Sequence, residues 1–289
     1  MNLYITPYEI KSDAPDMIQS GVTRYDDPLF RRCVDVSRAI DQRCKRFFYP
    51  LRATRYFSGS GYGVLWVPDL VSVETISVSH DQGATYEDLA EDDFYLAVAE
   101  EFDRLCSFNT IILNMAGSLA GFPEGQRSVR IVGVWGYADD REGCWEESGL
   151  TLAAEMSAGA GVFEVADAGA ADRFGLGTAL QVGRLIRVGA EYMVVTGVDL
   201  EEDTVSVIGG RNGTAEAAHE AGAAIILWRP PFNVVGAARI TVIRDLLRAQ
   251  QGYADARGAM ELGGEMRWTG RWDPEALEKL RPLIRTAVG

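Results

Sequence analysis

The sequence has few of the residues that usually carry catalysis or hold metal ions. It contains only two histidines, His80 and His219, in 289 residues. Neither lies near a G-x-S-x-G motif, so a serine-histidine-aspartate site is not indicated. No C-x-x-C pair occurs among the four cysteines, which are Cys33, Cys44, Cys106 and Cys144. Zinc and iron sites need such clusters. We therefore predict no catalytic group, no metal and no cofactor, and we expect reduced, buried cysteines.

Long hydrophobic runs are also missing. No stretch of about 18 or more apolar residues occurs, as a membrane-spanning helix would need. The first residues, MNLYITPYEIKSD, lack the basic start and apolar stretch of a signal peptide. These absences predict a soluble protein that is made in the cytoplasm and does not contact a membrane.

Positive charge is in short supply. Twenty-eight lysines and arginines oppose 42 aspartates and glutamates, for a net charge of −14. Proteins that bind DNA tightly use lysine and arginine side chains to replace the counterions of the phosphates. Specific DNA binding is therefore not expected. Residues 232–289 hold nine basic against seven acidic residues, or +2, which leaves −16 on residues 1–231. This asymmetry indicates either two surfaces with different partners or an ordinary solvated surface.

Three kinds of sequence feature resemble functional sites, but none has the spacing or the context that such a site requires. The glycine-rich stretches at residues 59–63 and 175–177 lack both G-K-[ST] and the full G-x-G-x-x-G register, so they are interpreted as turns. The acidic residues between Glu87 and Asp93 lack calcium-loop spacing. His80 lies where a predicted strand enters a turn. Together these patterns predict a protein that is not an enzyme.

Amphipathic helices are predicted at both ends of the chain. The first begins near Asp27-Pro28, which supply an N-cap and a favourable first position, and ends at Pro50. Its apolar stripe consists of Leu29, Cys33, Val36, Ile40, Cys44 and Phe47. A second helix is predicted over residues 234–251, and a short last helix begins at Asp273-Pro274. We expect these helices to pack together.

Short β-rich runs fill the middle of the chain. Six candidate strands lie between Arg52 and Tyr137 and five more between residues 158 and 231, where Pro230-Pro231 closes the second block. The predicted fold class is α+β: a helical bundle from the N- and C-terminal helices, an antiparallel β segment and an inserted small β-barrel or sandwich-like module. Three domains are predicted. Residues 1–157 form a core with the N-terminal helix and the antiparallel β segment, residues 158–231 form the inserted β module, and residues 232–289 form the C-terminal helices that complete the bundle.

Several of these segments resemble the head-to-tail connector (adaptor) family of tailed bacteriophages. The resemblance rests on DDPLFRRCVDVSRAIDQRCKRFFYP, RATRYFSGSGYGVLWVPDLVSVETISV, DFYLAV and SVRIVGVWGYAD, within residues 6–137. The last of these segments contains a predicted strand ending in Trp135-Gly136-Tyr137, which looks like the point where such proteins return to helix. The resemblance covers nearly half of the chain.

The inserted module is similar to a small β module of virion proteins with the pattern I-x-I/V-G-x-E-x-M-x-V followed by R-G-x-N-G-T-x-A-x-x-H-x-x-G-A. The matching residues are Gly189, Glu191, Met193, Val195, Arg211, Gly213, Thr214, Ala217, His219, Gly222 and Ala223. The Arg-Gly order is altered at Gly209-Gly210-Arg211-Asn212. We assign structural turn roles to Arg211, Gly213, Thr214 and His219, and expect His219 to bond the backbone across the loop.

The resemblance implies a structural subunit of a homo-oligomeric ring, usually of about twelve copies, in the virion neck. Such a ring sits beneath the portal protein and above a stopper or tail-completion protein, and DNA passes through it without specific binding. The C-terminal segment would then dock on the portal, and the predicted contacts are Trp268, Trp272, Leu277, Leu280 and Ile284. Packing of these residues within the same subunit is the competing interpretation. Alternative functions are another neck or tail-completion protein, or a carbohydrate-binding or hydrolytic β protein.

Overall fold

The structure is a computed structural model that describes residues 2–15, 25–98, 105–172, 175, 177–250, 256–259, 264–267 and 272–285. The chain divides into two compact units. The larger unit comprises Met1–Arg46, Glu147–Gly209 and Glu216–Gly289, and the smaller unit comprises Phe47–Glu146 and Gly210–Ala215.

The predicted helical bundle is wrong. The described chain is mostly β, with two antiparallel sheets of six strands each and four α-helices. The physical reason lies in where the apolar residues are. Each sheet has its own buried cluster, built largely from alternating strand residues such as Ile111 and Ile131 in one and Ile186 and Met193 in the other. The helices pack on one another, but two of the four have only seven residues, too short to enclose a bundle core.

The smaller unit is built on the first sheet. Its strands, in the spatial order β1-β6-β2-β5-β4 with β3 paired to β2, are β1 (Leu51–Gly59), β2 (Val64–Val78), β3 (Glu87–Asp88), β4 (Phe94–Ala97), β5 (Phe108–Leu113) and β6 (Gly125–Trp135). Burial alternates along β1 and the first part of β2, as expected when one face of a sheet covers a core. Trp135 is fully buried, and its indole N–H donates to the Ala53 carbonyl at 2.8 Å.

Strand β2 is a single strand of 15 residues that runs through Pro68-Asp69, a pair typical of a turn between two strands. The pairing with β5 shifts register between Trp66 and Leu70. Proline has no N–H to donate, so it fits at such an irregularity without breaking the strand. The sheet therefore continues through a sequence that is typical of a turn.

The larger unit contains the four helices: α1 (Pro7–Asp13), α2 (Asp26–Cys44), α3 (Phe232–Gln250) and α4 (Pro274–Leu280). The predicted stripe of α2 is confirmed from Leu29 to Cys44, where every member is buried. The helix ends at Lys45, which adopts a left-handed conformation, and not at Pro50. The start of α4 is also confirmed, because the Asp273 side chain accepts from the Glu275 N–H at 2.9 Å.

The second sheet follows the order β7-β12-β9-β10-β11-β8. Its strands are β7 (Trp145–Thr151), β8 (Val162–Glu164), β9 (Leu185–Val188), β10 (Glu191–Asp199), β11 (Thr204–Ile208) and β12 (Ala224–Trp228). A bridge between Leu152 and Val165 joins the chain just after β7 to the chain just after β8, the two edge strands. The sheet therefore curls back on itself around its buried cluster. A hairpin, β13 (Ala256–Ala259) and β14 (Gly264–Arg267), completes the described strands.

None of the helices in the described part of the chain combines the length and the apolar character that crossing a membrane requires.

Candidate functional site

The strongest polar site of the larger unit is a buried pair, Glu191 and His219. Glu191 opens β10 directly after a tight turn in which Gly189 has a positive φ of 57°. Its carboxylate lies 2.8 Å from His219 Nε2 and accepts from the Ala217 N–H at 3.0 Å. The side chains are 2% and 7% exposed, respectively. A buried carboxylate needs such partners, because unmet polar groups are costly inside a protein.

The backbone fixes both members of this pair. His219 exchanges two N–H to C=O bonds with Met156, each 2.8 Å long. Gly209 lies against the carboxylate, and a Cβ there would approach Glu191 Oε1 to 2.2 Å. The sequence predicted that His219 bonds the backbone with its side chain. Instead the imidazole bonds Glu191, and the carboxylate makes the link to the backbone.

The other predicted turn residues form a compact loop that belongs to the smaller unit. Residues Arg211–Gly213 form a single 3-10 turn, in which Asn212 and Gly213 have φ values of 50° and 82°. The Thr214 hydroxyl donates to the Arg211 carbonyl at 2.8 Å. A Cβ on Gly213 would lie 1.9 Å from the Arg52 carbonyl oxygen of β1, so only glycine fits this approach.

The chemistry available to the Glu191–His219 pair is limited by access. A histidine bonded to a carboxylate is two thirds of a catalytic triad, but a general base must reach the proton that it removes. With so little of either side chain exposed, the pair is suited to cross-linking β10 to the loop before β12. Among the residues that the structure describes, no group of three or more His, Cys, Asp or Glu side chains is placed to hold a metal ion.

A cavity of about 530 Å³ lies in the larger unit beside α1 and the start of α2. Leu180, Val182 and Leu200 supply part of its mainly apolar wall. Its lining also includes Lys11 and Asp26, which form an ion pair with each other. These two charges are therefore already paired within the chain.

The predicted portal contacts are distributed unevenly. Trp268 lies outside the described residues. Leu280 is fully buried within the chain, where α4 packs on α3, so its side chain is not available to a partner in this conformation. Trp272, Leu277 and Ile284 are partly buried. The segment is further attached by the Arg285 N–H, which donates to the Cys44 carbonyl at 2.9 Å.

The four cysteines are free and buried. Burial raises the pKa of the Cys33 thiol to about 12 and that of Cys44 to about 11. The thiolate is the reactive form, so both thiols are unreactive at neutral pH. His80 is exposed in the turn after β2, as the sequence predicted.

One face of the first sheet carries an apolar group that the sequence did not predict, which we call the outer ladder: Val64, Trp66, Tyr95 and Ile112. The first three side chains are exposed, and Ile112 is partly buried. Val64 pairs with Ile112, which pairs with Tyr95, so the three share one face; Trp66 follows on the same face of β2. Trp66 is 56% exposed and Tyr95 54%. The available signal was the run Val64-Leu65-Trp66-Val67. Successive strand residues point to opposite faces, and this run places apolar residues on both faces of β2.

No protein-family model matches the sequence, and no curated protein matches it either. The function is therefore inferred from the residues of this chain.

Proposed function

We propose that this chain is a structural subunit of the head-to-tail connector ring in the neck of a tailed bacteriophage. The observation that carries the proposal is the motif from Gly189 to Ala223, which resembles a β module of virion proteins. Three of its distinctive polar groups have a structural use in this chain. Glu191, His219 and Thr214 are all engaged in hydrogen bonds that hold loops in place.

The charge of the chain fits this role. A net charge of −14 per subunit, multiplied around a ring of about twelve copies, repels DNA phosphates. A channel of that sign lets a genome pass without adhering to the wall, since strong adhesion depends on lysine and arginine contacts. The portal and a stopper or tail-completion protein are the partners that this position requires.

A hydrolase is the weaker proposal. Both histidines have been located: His80 is exposed in a turn, and His219 is 7% exposed beside Glu191. Neither position offers a base that is both oriented and open to a substrate. Another neck or tail-completion protein differs from the connector in the number of copies and in its partner, so assembly state distinguishes the two.

Mass photometry of the full chain tests the proposal. We expect a closed ring of about twelve copies, formed either by the chain alone or after addition of the portal protein of the same phage. A chain that stays monomeric under both conditions contradicts the proposal. Binding of an oligosaccharide by such a monomer would favour the carbohydrate-binding alternative.

A mobility-shift assay with double-stranded DNA tests the electrostatic part separately. At physiological salt we expect no complex with the isolated chain, because few cations are available to displace condensed counterions. A salt-sensitive complex with submicromolar affinity would show that a basic surface grips DNA, and the sliding role would then fail.

A further inference from the structure

The outer ladder is not needed to build the core of its own sheet. Successive residues of a strand point to opposite faces. On β2, Leu65 and Val67 point to the buried side and join the core with Ile111 and Leu113 of β5. Val64 and Trp66 therefore lie on the other side. Single exposed apolar residues are common, but a contiguous group across three strands marks an interaction surface.

The outer ladder contains no charged side chain, and this limits the kinds of partner that it can bind. Its four members are uncharged, and so are Thr110 and Ala97, the cross-strand neighbours of Trp66. The other half of the sheet differs, because Arg52 is paired with Glu74 there and Arg130 with Asp88. Nucleic acid requires cations, and a basic protein is attracted by carboxylates. The ladder residues themselves offer neither. The carboxylates of Asp92 and Asp93 come just before β4, and that of Asp93 accepts hydrogen bonds from Ser118 of the same chain.

A second copy of this chain matches these properties. Two chains of charge −14 repel each other, so copies associate most readily where carboxylates do not face one another. An exposed tryptophan and tyrosine are residues that dominate the centres of protein interfaces. At slightly more than half exposure, these two rings offer roughly 200 Å². That is about a quarter of what one partner buries in a standard interface, which suits a central contact surrounded by a polar rim.

We infer that the outer ladder is the centre of the contact between neighbouring copies of this chain. In a cyclic ring the contact is heterologous, so the ladder of one copy meets a different surface of the next. This inference rests on the proposed function for the identity of the occupant, while the surface itself is assigned from exposure, register and charge.

The test compares two variants of the full chain in the assembly reaction described above. The ladder variant is Trp66→Ser with Tyr95→Ser. The control is Tyr56→Ser, which removes an aromatic ring, 43% exposed, from β1 of the same sheet; that ring is covered by Arg127 of its own chain at 4.0 Å. We expect the ladder variant to raise the subunit dissociation constant at least about 30-fold, and the control to stay within about threefold of the unchanged chain.

Hydroxyl-radical footprinting of the unchanged protein gives a second measurement that does not depend on a variant folding. Trp66 and Tyr95 should be protected in assembled relative to monomeric protein, while His80, which is exposed in a turn, remains reactive. If rings form normally with the ladder variant and the two side chains stay reactive in the ring, the ladder inference is overturned and the connector proposal stands. If the unchanged chain never assembles, both are overturned. Equal weakening by both variants also overturns the assignment of the ladder.

Discussion

The candidate sites of the two units depart from the usual placement of residues in opposite ways. The larger unit buries polar side chains, with Glu191 and His219 inside the second sheet and Asp41 of α2 largely buried beside Tyr4 and Arg38. The smaller unit leaves apolar side chains outside, at Trp66 and Tyr95. Buried polar groups fix one arrangement of the chain because each donor must find its acceptor. Exposed apolar groups instead gain from being covered by a partner.

The carboxyl groups of the two units show the same contrast. Burial raises the pKa of Asp41 in the larger unit to about 6, against the opposing effects of the Tyr4 hydrogen bond and Arg38. In the smaller unit, hydrogen bonds from Ser79 and Thr85 lower the pKa of Asp81, and the Ser118 N–H lowers that of Asp93. Raising the pH should therefore weaken the larger unit near Asp41, and lowering it should weaken the loops of the smaller unit.

The largest expected effect follows removal of the buried carboxylate. Glu191→Ala leaves His219 Nε2 and the Ala217 N–H without their acceptor in a site that water barely reaches. We expect a loss of about 4 kcal/mol in the free energy of unfolding, measured by urea titration followed by circular dichroism. The control is Glu164→Ala on β8 of the same sheet, where the side chain is exposed. Similar losses in the two variants would show that the buried carboxylate of Glu191 stabilises the larger unit no more than an exposed one does.

Asp41→Asn tests the titration of the larger unit. The folded-state pKa of about 6 exceeds the ordinary aspartate pKa of 3.8, so the folded chain binds more protons than the unfolded chain between these pH values. Stability contributed by the protonated form is complete below about pH 4 and is lost as the pH rises through 6, amounting to about 3 kcal/mol. Urea titrations at several pH values should show the unchanged chain losing this stability relative to the variant. A difference between the two that does not vary with pH would contradict the assignment.

Gly213→Ala probes the tightest backbone approach in the smaller unit. The new Cβ would meet the Arg52 carbonyl oxygen at 1.9 Å, with φ at +82°. Gly222→Ala is the matched control, because its φ is +84° and nothing lies within 4 Å of the Cβ position. Both variants bear the cost of a left-handed alanine, about 1 kcal/mol. We expect Gly213→Ala to cost about 2 kcal/mol more in thermal or urea unfolding, and equal costs would indicate that the loop moves away from β1.

Patterns of neighbouring residues correctly predicted the helices that such residues determine. The stripe from Leu29 to Cys44 gave α2, and Asp273-Pro274 gave the start of α4. The same kind of signal marks α1, where Thr6 and Glu9 form a reciprocal capping box around Pro7, although no helix was predicted there. The antiparallel pair of β13 and β14 was not predicted either, because the glycines at positions 258 and 264 are typical of a linker.

Features that depend on residues far apart in sequence could not be predicted in this way. Glu191 and His219 are 28 residues apart, and their pairing depends on how β10 and the loop before β12 meet. The helical bundle failed for a related reason: amphipathic helices show that an apolar face is covered, but not by what. In β2, the effect of Pro68 depended on which neighbouring strand was paired at that point.

The smallest expected effect concerns the two faces of β2. Trp66→Ser removes a large aromatic ring, yet the ring is more than half exposed, so the folded monomer should lose less than about 1 kcal/mol in a urea titration at low protein concentration. The neighbouring Leu65→Ala should cost about 3 kcal/mol, because Leu65 belongs to the core on the opposite face. The assembly reaction should show the reverse order for variants that still fold. Two successive residues of one strand would then have different roles, Leu65 in folding and Trp66 in association. A large loss of monomer stability in Trp66→Ser would instead show that the ladder serves folding, and the contrast between the two units would no longer hold.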